Sequence, residues 1–109
     1  RWVALACRHV SHPGCAGCGG LFGAGIRPMA LRMVYEGARA VTIPVFGLCG
    51  IAQGLAAAEF LIAGASAIEV GTVNFWDPTA PLRIARELEK FLEQEGIEHV
   101  SDLVGTLKL

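Results

Sequence analysis

Thr42-Ile43-Pro44-Val45-Phe46-Gly47-Leu48-Cys49-Gly50 and, one helix length later, Ser66-Ala67-Ile68-Glu69-Val70-Gly71-Thr72 are the two stretches that decide the fold. Each is a short apolar run with β-branched residues that ends at glycine, the pattern of a strand buried on both faces. Pro44 sits at the edge of the first run, where a missing N–H is tolerated. Between the two runs, Leu55 to Ala63 reads as a helix that stops at Gly64. Its start is poorly built. Gln53, Gly54 and Leu55 stand where a capping Ser, Thr or Asp and first-turn acids would help.

Working outward, Gly19-Gly20-Leu21-Phe22-Gly23-Ala24-Gly25 reads as a glycine-rich loop. Pro28 then stands at a first helical position, where its fixed φ and absent N–H both fit. Leu31, Val34, Ala38 and Val41 follow at steps of three and four, predicting one buried helix face. Gly37 lies inside that helix and costs it about 0.5–1 kcal/mol relative to Ala. Downstream, Ala80 to Glu95 is the clearest helix, with Leu82, Ala85, Leu88, Phe91 and Leu92 on one face and Arg83, Glu87, Lys90 and Glu93 on the other. Gly96 ends it, and Ser101 to Val104 reads as one last turn.

The order is αβαβα, without internal repeats or low-complexity tracts. Alternating buried strands and helices predict a parallel sheet with right-handed crossovers. Two strands do not make a stable sheet, and parallel sheets need cover on both faces, so the expectation is part of a larger unit. The composition agrees: 53% hydrophobic against 17% charged residues describes apolar surface that wants more protein over it.

The formal net charge of −1 offers no electrostatic footprint for nucleic acid or an anionic membrane. No apolar run reaches the roughly 18 residues of a membrane span. The stretch Arg1 to Cys7 is too short for a secretory signal and is interrupted by Arg8 and His9, so a cytoplasmic chain is expected. In that compartment the four cysteines are thiols or metal ligands rather than disulfides.

The glycine ends of the strands carry the functional expectation. A phosphate needs several backbone N–H groups aimed at it, and close approach is easiest without a side chain. In β/α barrels such sites lie in the loops after the last two strands, beside a short extra helix. Gly47-Leu48-Cys49-Gly50 and Gly71-Thr72 are one βα unit apart, Thr72 adds a hydroxyl, and Asn74-Phe75-Trp76 suits the short turn. Tight strand-to-helix turns alone would also account for either glycine pair taken singly.

Gly19 to Pro28 with Ala30 to Glu36, Ile43-Pro44-Val45 leading to Gly50, Glu59-Phe60-Leu61 with Ala63 to Ala67, Val70-Gly71-Thr72 with Asn74-Phe75, and Gly96-Ile97 with Asp102 to Gly105 together resemble class 1B dihydroorotate dehydrogenases. The resemblance runs over residues 19–105. It implies the C-terminal part of a (β/α)8 TIM barrel, left incomplete, in an FMN-dependent oxidoreductase that converts dihydroorotate to orotate in pyrimidine biosynthesis. It further implies that Gly23, Cys49, Gly50, Gly71 and Thr72 contact FMN, mainly its phosphate and ribityl side. Cys49 replaces the first glycine of a Gly-Gly pair, Phe22 a serine, Ala24 a proline and Arg27 a lysine. The catalytic cysteine base and the asparagines and lysine that hold orotate belong to earlier segments in that family, so no catalytic residue is assigned here and the chain alone should be inactive. A homodimer and an iron–sulfur and FAD electron-transfer subunit are the partners the resemblance implies.

Residues 1–18 form an irregular segment outside the resemblance, set against the βα units of residues 19–109. His9, His12, Cys15 and Cys18 stand at three-residue steps with Cys7 nearby, a composition that can hold zinc. The spacing is too compressed for an ordinary zinc motif, so no metal site is assigned. An abrupt change at residue 18 also suits a frame slip, which the other reading frames of the encoding DNA would reveal. Three other readings are open to the sequence: a different phosphate- or flavin-binding β/α barrel enzyme, a non-catalytic metal-binding or interaction module built on residues 7–18, and a degenerate product. Glu69 reads as a solvated or paired carboxylate, Trp2 and Trp76 as packing residues, and His99 as exposed.

Overall fold

The alternation expected from the sequence is present in the computed structural model, which describes residues 3–5 and 20–108. β1 (Val3–Leu5) pairs antiparallel with β2 (Gly20–Phe22). A 3-10 turn, Ala24–Ile26, leads into α1 (Arg27–Ala40). Then come β3 (Phe46–Gly47), α2 (Gly54–Ala63), β4 (Ala67–Ile68), a 3-10 turn at Thr72–Phe75, α3 (Ala80–Glu95) and a last 3-10 turn at Val100–Leu103. β3 and β4 run parallel, with Phe46 opposite Ala67 and Gly47 opposite Ile68. The N–H of Ser66 donates to the Val45 carbonyl, and that of Glu69 to the Gly47 carbonyl, each at 2.8 Å. The chain is therefore an α/β fold with a small parallel sheet.

Two expectations about strands need correction. Gly20–Phe22 is extended and paired where a loop was expected, because a three-residue ladder is made of backbone and shows no side-chain period. The runs read as buried strands also keep much of their apolar surface in solvent: Ile43 is 70% and Phe46 61% exposed. α2 packs on the sheet through Phe60 against Gly47, but among the described residues Ile43 and Phe46 stay largely open to solvent.

α2 lies at the centre. Gly54, Ala56, Ala57, Ala58, Phe60, Leu61 and Ala63 are all buried, as a helix that is apolar all round must be. It packs against both α1 and α3. At its end Gly64 adopts the left-handed conformation, and the amides of Gly64 and Ala65 turn back onto Leu61 and Phe60 carbonyls at 2.9 Å, a Schellman closure. In α1 the buried residues are Ala30 and Val34, with Leu31 and Ala38 only partly covered. Val41 lies just beyond the helix and is exposed. α3 has the expected limits but a rotated face. Ala80 and Ile84 are its buried residues, Leu88, Phe91 and Leu92 pack partly, and Leu82 and Ala85 face solvent.

The rotation brings Glu87 onto the start of α2. Its Oε2 accepts the Gly54 N–H at 2.6 Å, so a carboxylate from another helix supplies the cap that the local sequence lacks. A Cβ on Gly54 would lie 2.4 Å from the Glu87 Cβ and 2.7 Å from its backbone carbon, so only glycine permits this approach. The Gly54 N–H, followed by the Arg83 guanidinium, holds the Glu87 carboxyl below its ordinary value. A carboxylate depressed in the folded state adds stability above its unfolded pKa of about 4.3, which is lost as pH falls through the lower folded value. Thermal melts from neutral to about pH 3 should therefore show a falling Tm. Glu87→Gln keeps an oxygen for the Gly54 N–H but removes the titration, and should make that fall shallower. Parallel Tm profiles for the two proteins would contradict the assignment.

Candidate functional site

Three chain reversals meet at one end of the parallel sheet. The first is Gly23 before α1, with φ 94°. The second follows β3, where Cys49 and Gly50 both have φ 80°. The third follows β4, where Asn74 folds the turn by donating its N–H to the Gly71 carbonyl at 3.0 Å and its Nδ2 to the Val70 carbonyl at 2.9 Å. Together they enclose a cavity of about 350 Å³. Its lining includes all five residues singled out from the sequence: Gly23, Cys49, Gly50, Gly71 and Thr72.

The first two reversals are packed on each other. A Cβ built on Gly50 would lie 2.9 Å from the Arg27 Cβ, 3.0 Å from the Gly23 carbonyl oxygen and 3.1 Å from the Arg27 nitrogen. Gly50 is thus required both by its left-handed backbone and by this approach. Cys49 takes the same left-handed conformation with a side chain, which costs roughly 1–2 kcal/mol. Gly71 is different: nothing lies within 4 Å of where its Cβ would be, so its backbone is open to the cavity. Among the described residues, no backbone carbonyl accepts from the N–H of Gly50 or Gly71. Amides without such an acceptor, on two turns that line one cavity, are donors that an anion can use.

The rest of the lining was not read from the sequence. Phe22, Leu48, Ile51, Val73 and Trp76 give the cavity apolar walls. Trp76 is 57% exposed on the cavity rim rather than a packing residue, and Phe22 is 46% exposed beside Gly23. Both flank the glycine turns in sequence, which is the signal that would have found them. Glu69 brings a solvent-exposed carboxylate to the lining, and His99 is exposed as expected. Arg27 borders the Gly23–Gly50 contact and pairs with Glu59 at 3.6 Å. The expected short turn after β4 is the 3-10 segment Thr72–Phe75, on which Val73 is buried. His9, His12, Cys15, Cys18 and Cys7 lie outside the described residues. No group of three or more metal-ligating side chains occurs among the described residues.

The family profile for dihydroorotate dehydrogenase matches residues 3–92. The chain belongs to the dihydroorotate dehydrogenase family. A protein of Solibacter usitatus, provisionally named dihydroorotate dehydrogenase A (fumarate), is 72% identical over 85% of this chain and 31% of its own length. The catalytic subunit of dihydroorotate dehydrogenase B (NAD(+)) of Geobacter sulfurreducens is 52% identical over 84% of this chain and 30% of its own length. Among solved structures, the ligand-free DHODH of Eimeria tenella superposes with a TM-score of 0.78 at 29% identity, over 95% of this chain and 30% of that one. The chain spans about a third of the length of the curated dihydroorotate dehydrogenases it matches. The profile match opens at residue 3, within the stretch read as irregular, and the likeness to dihydroorotate dehydrogenase is shared by A-type and B-type relatives.

Proposed function

We propose that this chain forms the phosphate-binding end of an FMN site in a dihydroorotate dehydrogenase, which oxidises dihydroorotate to orotate. The observation that carries the reading is the convergence of Gly23, Cys49, Gly50, Gly71 and Thr72 on one cavity. The residues suit the cofactor. Amides at Gly50 and Gly71 without backbone acceptors can take a phosphate, and the apolar walls suit an uncharged, flat ligand portion. FMN, when bound, supplies the acceptor for the hydride that leaves the substrate.

The work of this chain's own residues is to bind and orient. Backbone N–H groups at Gly50 and Gly71, with the Thr72 hydroxyl, hold the anionic end. Phe22, Leu48 and Trp76 exclude water from the apolar part. No residue here is assigned as the proton-accepting base, and the chain alone is expected to turn over no dihydroorotate. The likeness supports placing β3 and β4 in the C-terminal part of a (β/α)8 barrel, whose remaining strands would cover Ile43 and Phe46; a cytoplasmic location rests on the sequence reading alone. No helix among the described residues is long and apolar enough to cross a membrane. The B-type relatives' name, with NAD(+) and a catalytic subunit, favours a further subunit, for which the resemblance implies an iron–sulfur and FAD electron carrier, while the A-type name favours fumarate as acceptor. Reoxidation assays with the two acceptors would separate these.

Titration with FMN, followed by flavin fluorescence, tests the site. Gly50→Ala must strain a left-handed residue and push the Gly23–Arg27 loop away, so its affinity should fall at least about tenfold. Failure of the unaltered chain to bind FMN, or equal affinity in Gly50→Ala, would refute the assignment.

A further inference from the structure

Arg83 stands on α3, away from the glycine turns, yet its guanidinium is bonded to both loops of the cavity. Its Nε and Nη2 donate to Asp77 Oδ2 at 3.1 and 3.0 Å, and its Nη1 donates to Glu87 Oε1 at 2.8 Å. Nη2 also donates to the Ala52 carbonyl at 3.2 Å. Ala52 lines the cavity in the loop that carries Gly50. Asp77 follows Trp76, and its own N–H donates to the Val73 carbonyl at 2.9 Å, within the turn that carries Thr72. The other Asp77 oxygen accepts from the Thr79 hydroxyl at 2.7 Å and the Thr79 N–H at 3.1 Å, which fixes the carboxylate's orientation.

The simplest account is a surface ion pair, since the Arg83 side chain is 39% exposed, and such pairs contribute little. That account does not cover the neutral Ala52 carbonyl or the two donors converging on one Asp77 oxygen. Those need a planar fork with several donors in fixed directions, which an ammonium cannot copy. The carbonyl and the carboxylate belong to different loops, so the guanidinium bridges them.

We propose that Arg83 is a positioning residue, holding the Gly50 loop and the Gly71–Thr72 turn at the separation that lets both reach one phosphate. The proposal rests on the FMN reading and deepens it. Its consequence is selective. Riboflavin lacks the phosphate, so a change in loop separation alters FMN binding much more than riboflavin binding.

The test titrates the chain with FMN and with riboflavin and compares the ratio of affinities. Arg83→Lys keeps the charge and loses the fork, and its preference for FMN should fall about tenfold with riboflavin affinity little changed. Arg32→Met removes an exposed pair with Glu36 on α1 and should leave the preference as it was. Asp77→Asn, which keeps the shape and the Thr79 contacts, serves if Arg83→Lys does not fold, and should lower the preference in the same direction. A lower Tm with an unchanged preference in either variant overturns the positioning role. An unaltered chain that binds FMN no better than riboflavin instead overturns the phosphate site on which the role depends.

Discussion

Replacing Gly54 with alanine is expected to destabilise the fold by about 3 kcal/mol or more, although alanine is the better helix former by about 1 kcal/mol. The new methyl would stand 2.4 Å from the Glu87 Cβ and 2.7 Å from the backbone nitrogen of Leu88. Two of the three nearest atoms are backbone, so no rotamer change on α3 relieves the contact, and α2 must move away. That movement also breaks the 2.6 Å bond from the Gly54 N–H to Glu87, leaving the helix start without its acceptor. Overpacking and cap loss act in the same direction, and helix propensity is too small to offset them. Urea unfolding followed by circular dichroism measures the loss. A midpoint equal to or above that of the unaltered chain would show that the two helices do not meet as described.

Phe60→Ala should cost about 3–5 kcal/mol, the range for removing a large aromatic side chain from a closed core. Phe60 is fully buried on α2. Its ring reaches the sheet, since a Cβ on Gly47 would lie 2.8 Å from Phe60 Cδ1. It shares its core with Val34 of α1, Ile51 of the cavity loop and Ile84 of α3, so the hole would open between all three helices. Native domains have about 5–15 kcal/mol of stability in total, and the substitution removes much of it. The same denaturation experiment decides the point: a loss below about 1 kcal/mol would mean that the surroundings collapse onto the vacancy, or that the helix faces are wrongly placed.

These two positions bear on function because the cavity loop shares its core with α2, Ile51 being buried in the same cluster as Phe60. The loop carrying Cys49 and Gly50 runs straight into α2 through Ile51 and Ala52.

Most of the secondary structure was legible in local residue patterns. Pro28 at the start of α1, Gly64 after α2 and Gly96 after α3 are punctuation that acts through φ and missing N–H groups, so neighbours in sequence suffice to read them. The turns at Gly47 to Gly50 and at Gly71-Thr72 were legible for the same reason, whereas Gly23 was reached only through the family resemblance. Glycine ends of consecutive parallel strands lie on the same side of a sheet, so convergence follows from topology. The walls of the cavity were not legible. Phe22 and Trp76 are large apolar residues like those of a core, and only the position of the sheet edge shows that they face open space.

Sequence alone determined the three helices, that β3 and β4 run parallel, and the glycine turns that follow them, but not the extended pairing of Gly20–Phe22. Each of these depends on backbone preference and on the period of apolar residues, both encoded within a few positions. Tertiary structure alone decided the rotation of α3, the capping of α2 by Glu87 and the double engagement of Arg83. Those depend on contacts between residues far apart in the chain, such as Gly54 and Glu87, whose pairing no local pattern specifies. A glycine at a helix start with no capping side chain reads as a defect until the opposing carboxylate is seen, and the same missing Cβ that weakens the helix locally is what lets that carboxylate approach.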